Sequence, residues 1–192
     1  MSMRVITGSA KGRRLTAPSG KVVRPATDRL KGSLFNILFD VEGDYVVDLF
    51  AGSGSLAIEA LSRGARQAVL VDDNAGATQH QQRNLDVCGL ADRARMCKMD
   101  VNRFLRQAGG TAEEKWDLVF IDPPYDLNIS YLTEMAVLLS SSGQLGPTAR
   151  LVFERRTGDG PPPLPQGFGV VVERAYGQTT LYVMERVSEE DV

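Results

Sequence analysis

From Tyr45 onward the chain alternates short apolar runs with helical segments, and this alternation limits the fold more than any other feature. The runs Tyr45–Phe50, Ala68–Val71, Ala94–Met99, Trp116–Ile121 and Ala149–Glu154 are short and predict five strands, the first of them buried. Between them, Ser55–Arg63, Ala75–Cys88, a short piece from Asp100 to Ala108, and Ile129–Leu139 carry helical patterning. Gly64 and Gly89 stand where two of these helices should stop. Strand–helix alternation predicts an α/β fold with a parallel sheet covered by helices on both faces. Right-handed crossovers then bring the strand ends, and the loops after them, to one edge. Gly167–Ala175 and Gln178–Arg186 differ: they predict two strands joined at Tyr176-Gly177, a hairpin adding antiparallel strands. The expected sheet is mostly parallel and seven-stranded.

Ahead of this body, Met3–Val23 predicts two short strands around Ser9-Ala10-Lys11-Gly12, with a second break at Pro18-Ser19-Gly20. Thr27 fits a helix N-cap, and Leu30, Leu34, Phe35, Ile37 and Leu38 recur at helical spacing up to Asp40. The expected organisation is a basic N-terminal hairpin extension over 1–26, a body over 27–187 and a frayed acidic tail over 188–192. Net charge over all 192 residues is −2, yet residues 1–31 alone carry +7 and the remainder −9. A basic arm on an acidic body fits a phosphate-binding appendage, with Arg4, Lys11, Arg13, Arg14, Arg24 and Arg29 as candidate RNA contacts.

Other features narrow the setting. No stretch is long and apolar enough to span a bilayer, so no membrane partner is expected. Met1–Val5 lacks an apolar leader segment. Cys88 and Cys97 form neither a disulfide framework nor a metal motif, and His80 is the single histidine, so no metal site is expected. A cytoplasmic protein with reduced thiols follows, with a monomer as the default state. Pro161-Pro162-Pro163-Leu164-Pro165 predicts a stiff loop.

Asp48-Leu49-Phe50-Ala51-Gly52-Ser53-Gly54-Ser55 links the first strand to the first helix of the alternation. Gly52 and Gly54 allow a sharp turn and close approach of the backbone to a ligand. The spacing Gly52-x-Gly54-x-x-Ala57, with Asp72 twenty residues past Gly52, also satisfies the dinucleotide fingerprint, so an NAD-binding oxidoreductase is a rival reading. Asp48, expected near the pocket mouth, argues against it: it would repel a pyrophosphate but suits the ammonium of S-adenosylmethionine (SAM). Asp72 then accepts from the ribose and Asp100 from the adenine amine, with Phe50, Ser53, Asp73 and Val101 beside them. A helix cap is the plainer role for each acid.

Asp122-Pro123-Pro124-Tyr125 closes the run Leu118–Ile121. Two prolines donate no N–H and fix φ, so the turn is rigid and its carbonyls stay free. Asp122 accepts hydrogen bonds and Tyr125 offers a flat face, a combination able to hold a planar amine stacked on a ring. That chemistry suits methylation of an exocyclic amine of a nucleobase, with Asp122, Pro123, Pro124 and Tyr125 as the catalytic candidates.

These residues in order resemble one family across nearly the whole chain. Arg24-Pro25-Ala26-Thr27-Asp28-Arg29 with Leu34-Phe35-Asn36 is similar to the amino-terminal segment of the RsmD family of bacterial small-subunit rRNA guanine-N2 methyltransferases. Asp48–Gly54, Glu59–Ala65, Asp122–Tyr125 and Tyr176–Leu181 look like its SAM loop, first helix, catalytic motif and terminal hairpin. Ala26 and Gly32 depart from the usual Thr and Glu, Gly8-Ser9 from Gly-Gly, and Asp72 from Glu, which shortens its reach by one methylene. The resemblance implies a Rossmann-like class I SAM-dependent methyltransferase acting on 16S rRNA or an assembling small ribosomal subunit, with Thr27 contacting the methionine end of SAM. A DNA adenine-N6 methyltransferase and a non-catalytic RNA-binding assembly factor are the other readings of the same residues.

Overall fold

Seven strands form a single sheet in the order β3-β2-β1-β4-β5-β7-β6. The computed structural model describes residues 3–17, 27–108 and 114–187, and the side chain of Thr27 lies outside that description. The strands are β1 (Tyr45–Leu49), β2 (Gln67–Asp72), β3 (Ala94–Lys98), β4 (Trp116–Ile121), β5 (Leu145–Arg156), β6 (Phe168–Tyr176) and β7 (Thr179–Arg186). The first five run parallel, whereas β7 is antiparallel to both β5 and β6. Chain order reverses between β1 and β4, and such a switch point opens a crevice beyond the carboxyl ends of the strands.

Alternating strand residues face opposite sides, and the two sides build two cores. Val46, Leu70, Leu118, Phe120, Val152, Leu181 and Val183 meet α1 (Thr27–Leu38) and α2 (Ser55–Ser62), with Leu85 of α3 (Ala75–Cys88). Val47, Leu49, Val71, Val119, Ile121, Phe153 and Met184 meet α4 (Val101–Gln107) and α5 (Ile129–Ser141). Burial on both faces explains why β1, Tyr-Val-Val-Asp-Leu, is buried at every position.

Several boundaries differ from the sequence expectations. The first helix stops at Leu38 rather than Asp40, because Phe39 takes a left-handed φ of 63° and turns the chain out to solvent. β1 ends at Leu49, since Phe50 is also left-handed, at φ 67°. β5 starts at Leu145, four residues before the apolar run; Gly146 and Pro147 hide this stretch, and its pairing with β4 shifts register there. The capping role expected of the Thr27 side chain, the break at 18–20 and the tail over 188–192 lie outside the described residues.

The N-terminal segment is a narrow ribbon rather than two strands, with one bridge between Arg4 and Arg14 flanked by Val5 N–H to Arg13 O and Leu15 N–H to Met3 O. It is docked, not loose. Met3, Val5, Ala10 and Leu15 are buried in the first core. Beneath it, the carboxylate of Glu59 on α2 accepts the N–H groups of Ile6 and Thr7 at 2.7 and 3.0 Å. Ser62 O accepts from Ser9 N–H, and Ser62 Oγ from Ala10 N–H. Gly8 is required there: a Cβ on it would lie 1.8 Å from Ser62 O.

Candidate active site

The loop after β1 is bent at three alternate positions: Phe50, Gly52 and Gly54 all have positive φ. Gly54 is the N-cap of α2, and a Cβ there would meet Leu70 Cδ2 at 2.6 Å, so the loop can lie this close to β2 only with glycine. α3 pins the loop from outside. Gln81 Nε2 donates to Gly52 O at 3.0 Å and Asn84 Nδ2 to Ser53 O at 2.9 Å, both from fully buried side chains. Ser53 turns its hydroxyl toward Met3 Sδ of the ribbon.

Of the three strand-end acids, Asp48 sits deepest. It is buried beneath the loop rather than placed at a mouth, and its Oδ2 accepts the Ala57 N–H of α2 at 3.1 Å. Burial pushes its carboxyl up to about 8; the hydrogen bond from Ala57 opposes this, and the nearby Asp122 and Asp72 carboxylates reinforce it. Asp72 follows on β2, its two oxygens taking Gly52 N–H at 2.7 Å and Asn74 N–H at 2.9 Å. Asp100 caps α4 through Arg103 N–H and accepts the Tyr131 hydroxyl at 2.7 Å. Only Asp100 is the helix cap expected of all three: Asp72 braces loop N–H groups while Asn74 caps α3, and Asp48 reaches a first-turn N–H of α2 whose N-cap is Gly54. Each carboxylate keeps lone pairs for a ligand. Asp73 is exposed beside them and Val101 is buried at the start of α4.

Tyr131 was not singled out by the sequence, where it is one aromatic on an amphipathic helix. It holds Asp100, accepts Asn102 N–H, and packs its ring against Phe50 at 6.4 Å. Burial, then the bond to Asp100, raises its hydroxyl above the ordinary range. It therefore ties α5 to the loops after β1 and β3.

Across the switch point Leu49 pairs with Ile121, so Asp122 lies beside Phe50 and the two loops face one another. Asp122 is half-buried, Pro123 buried and Pro124 exposed. Tyr125 Oη is hydrogen-bonded to Thr179 Oγ1 of β7 at 2.8 Å, and the Arg156 guanidinium at the end of β5 lies over its ring, 5.1 Å from the centroid. Arg156 has no motif signal, and Thr179 lies in the matched hairpin without a role of its own there; the contact of each with Tyr125 became visible only when the antiparallel β7 was seated against β5.

Arg4, Lys11, Arg13, Arg14 and Arg29 are all exposed, whereas Arg24 lies outside the described residues. Lys31, counted among the basic charges, is not on the surface. It is buried, with Nζ donating to Arg4 O and Ser55 Oγ and lying 3.4 Å from Glu59. Burial lowers its pKa, and Glu59 partly restores it.

The groups that SAM presents, two cations, a diol and an aminopurine, match this crevice: a buried carboxylate, a carboxylate at the β2 end, a third at the β3 end, and a loop stripped of side chains. Sheet order and loop together define a Rossmann-like SAM-dependent methyltransferase. The chain belongs to the RsmD family, described as conserved hypothetical protein 95, whose profile matches residues 3–185. Ribosomal RNA small subunit methyltransferase D of Escherichia coli (strain K12) is 35% identical over 98% of this chain and 93% of that one. YlbH of Bacillus subtilis is 44% identical over 64% of this chain and 67% of its own. The solved structure of yhhF from Escherichia coli is 33% identical, with a TM-score of 0.85, covering 98% of this chain and 100% of that one. Methyl transfer excludes the oxidoreductase reading of the glycine fingerprint.

Proposed function

We propose that this enzyme methylates the exocyclic N2 amine of a guanine in small-subunit ribosomal RNA, as free 16S rRNA or in an assembling subunit, as a cytoplasmic monomer. The observation that carries the reading is the Asp122-Pro123-Pro124-Tyr125 turn, facing the glycine loop across the switch point between β1 and β4. The relative from Escherichia coli named for small-subunit rRNA methylation supports the substrate class.

SAM supplies an electrophilic methyl on a sulfonium. The protein's task is alignment, because the guanine amine lone pair is delocalised into its ring. Asp122 and the Pro123 carbonyl accept the two amine hydrogens, which frees the lone pair to face the crevice. Asp122 also sits where the proton displaced by the new N–C bond must leave. Tyr125, fixed through its hydroxyl by Thr179, gives the base a flat wall. Asp48 pairs with the cofactor's ammonium, Asp72 with its ribose and Asp100 with its adenine amine, while Thr27 meets its methionine end. The target must be unstacked to reach Asp122, and folded RNA offers such bases in loops. Exposed Arg4, Lys11, Arg13, Arg14 and Arg29 grip phosphates without reading sequence.

The test is transfer of label from SAM to small subunits lacking the modification, followed by nucleoside analysis. Labelled N2-methylguanosine, lost in Asp122→Ala while SAM still binds, is the expected result. Label on adenosine would overturn the base assignment, and full turnover by Asp122→Ala would overturn the role of the turn.

A further inference from the structure

Arg156 is the unexplained residue at the substrate side of the crevice. It is exposed, and among the described residues its guanidinium makes no hydrogen bond or ion pair; it lies over the Tyr125 ring, 5.1 Å from the centroid. Its neighbour Arg155 differs, with one nitrogen on Pro161 O at 3.0 Å and another 3.9 Å from Asp159. One arginine is therefore tied into the loop after β5, and the other is left to cover an aromatic face. The ring beneath it is fixed: Thr179 holds the hydroxyl, and Pro123 and Pro124 stiffen the chain that carries it.

We propose that Arg156 and Tyr125 form a stacking clamp for the target purine, with Tyr125 as the fixed jaw and Arg156 as the movable one. The inference rests on the reading of the turn as an amine-holding site and adds a second plane to it. A purine needs about 3.5 Å to each flanking plane, so the guanidinium swings outward by a rotamer change and closes over the base. Arginine suits this because its group is flat and weakly hydrated, and both aromatic rings and guanidinium planes stack on unpaired bases. Until RNA arrives, Arg156 shields the ring that the base will occupy.

The experiment uses full-length enzyme and unmodified small subunits at saturating SAM, comparing Arg156→Ala, Arg156→Lys and Asp122→Ala. Melting temperature and SAM affinity are measured in parallel. Arg156→Ala is expected to lower kcat/KM by about ten- to a hundredfold, with melting temperature and SAM affinity unchanged. Arg156→Lys keeps the charge without the plane and recovers less than about threefold of that loss. The slope of log kcat/KM against log salt stays that of wild type. Full recovery in Arg156→Lys, or a slope shallower by about one in Arg156→Ala, would make Arg156 a phosphate contact and overturn the clamp. Wild-type kcat/KM in Arg156→Ala, with Asp122→Ala inactive, would overturn the clamp alone. An active Asp122→Ala would remove the base-holding reading on which it stands.

Discussion

Asp48 is a carboxylate held where its charge is costly, and the cost sets two pH dependences. Because its folded-state pKa is raised to about 8 from 3.8, the folded protein without ligand holds a proton that the unfolded chain gives up. Its contribution to stability is therefore full below about pH 4 and is lost progressively as pH rises through about 8. Asp48→Asn stays neutral and can still accept from Ala57 N–H, so it should melt roughly 5 °C or more above wild type near pH 8 and converge with it near pH 4. Thermal melting across that range checks this, and an offset that does not change with pH would contradict it. Binding a cation requires the ionised form, so SAM affinity should strengthen with pH, approaching tenfold per unit between about pH 5.5 and 7. Calorimetry in Asp48→Asn should find weaker binding with that slope gone. The same carboxylate thus lowers the stability of the empty fold and favours the filled one.

At the scale of elements, two packing arrangements decide whether the crevice exists. The loop entering α2 passes close against β2 at Gly54, so Gly54→Ala places a methyl 2.6 Å from Leu70 Cδ2 at a φ of 78°. We expect a loss of about 1–3 kcal/mol in urea unfolding and weakened SAM binding; unchanged values in both would refute this account of the loop. The second is the node of Glu59, Lys31 and Arg63 under the ribbon. Arg63 Nε donates to Glu59 at 2.8 Å, so one fully buried carboxylate is shared by two cations and two backbone N–H groups. Glu59→Ala leaves buried Lys31 without its counter-charge and should cost about 3–5 kcal/mol. Hydrogen exchange should then rise first in residues 3–15, and if it rises evenly over the molecule the node does not hold the ribbon. These elements also mark where sequence reading succeeds. Runs such as Trp116–Ile121 and Ala75–Cys88 were legible to the residue, because strand and helix periodicities differ and Gly89 closes the helix. The start of β5 at Gly146-Pro147 was not, since long-range pairing overrides local preference there. In the site, the turn and the glycine loop were legible from composition alone. Tyr131, Thr179, Gln81 and Asn84 had no legible role, because their roles depend on contacts with residues distant in the chain, such as Phe50 for Tyr131 and Tyr125 for Thr179.

At the scale of the molecule, the charge asymmetry read from the sequence becomes a placement. The ribbon carrying Arg4, Lys11, Arg13 and Arg14 lies over α2 and α3, which also support the glycine loop, while Arg156 and the end of β5 lie beyond the Pro-Pro turn. A folded RNA reaching the crevice would meet cations on both sides of it. Lys31 has no part in this, because it is buried in the node that fixes the ribbon. Arg4 is partly committed too, with Nε 3.3 Å from Asp28. Arg13 and Arg14 are exposed without a described ion pair, and they make the cleanest test. If they contact phosphates, Arg13→Ala and Arg14→Ala should each weaken RNA binding without changing which base is modified. Each should also flatten the dependence of log affinity on log salt by about one, and together by about two if the contacts are independent. SAM binding and melting temperature should stay at wild-type values, because neither side chain enters the core. Titrations of RNA at several salt concentrations read this directly. A double variant with the wild-type slope would mean that the ribbon docks the fold without gripping RNA. The acidic body would then need another source of attraction for a polyanion.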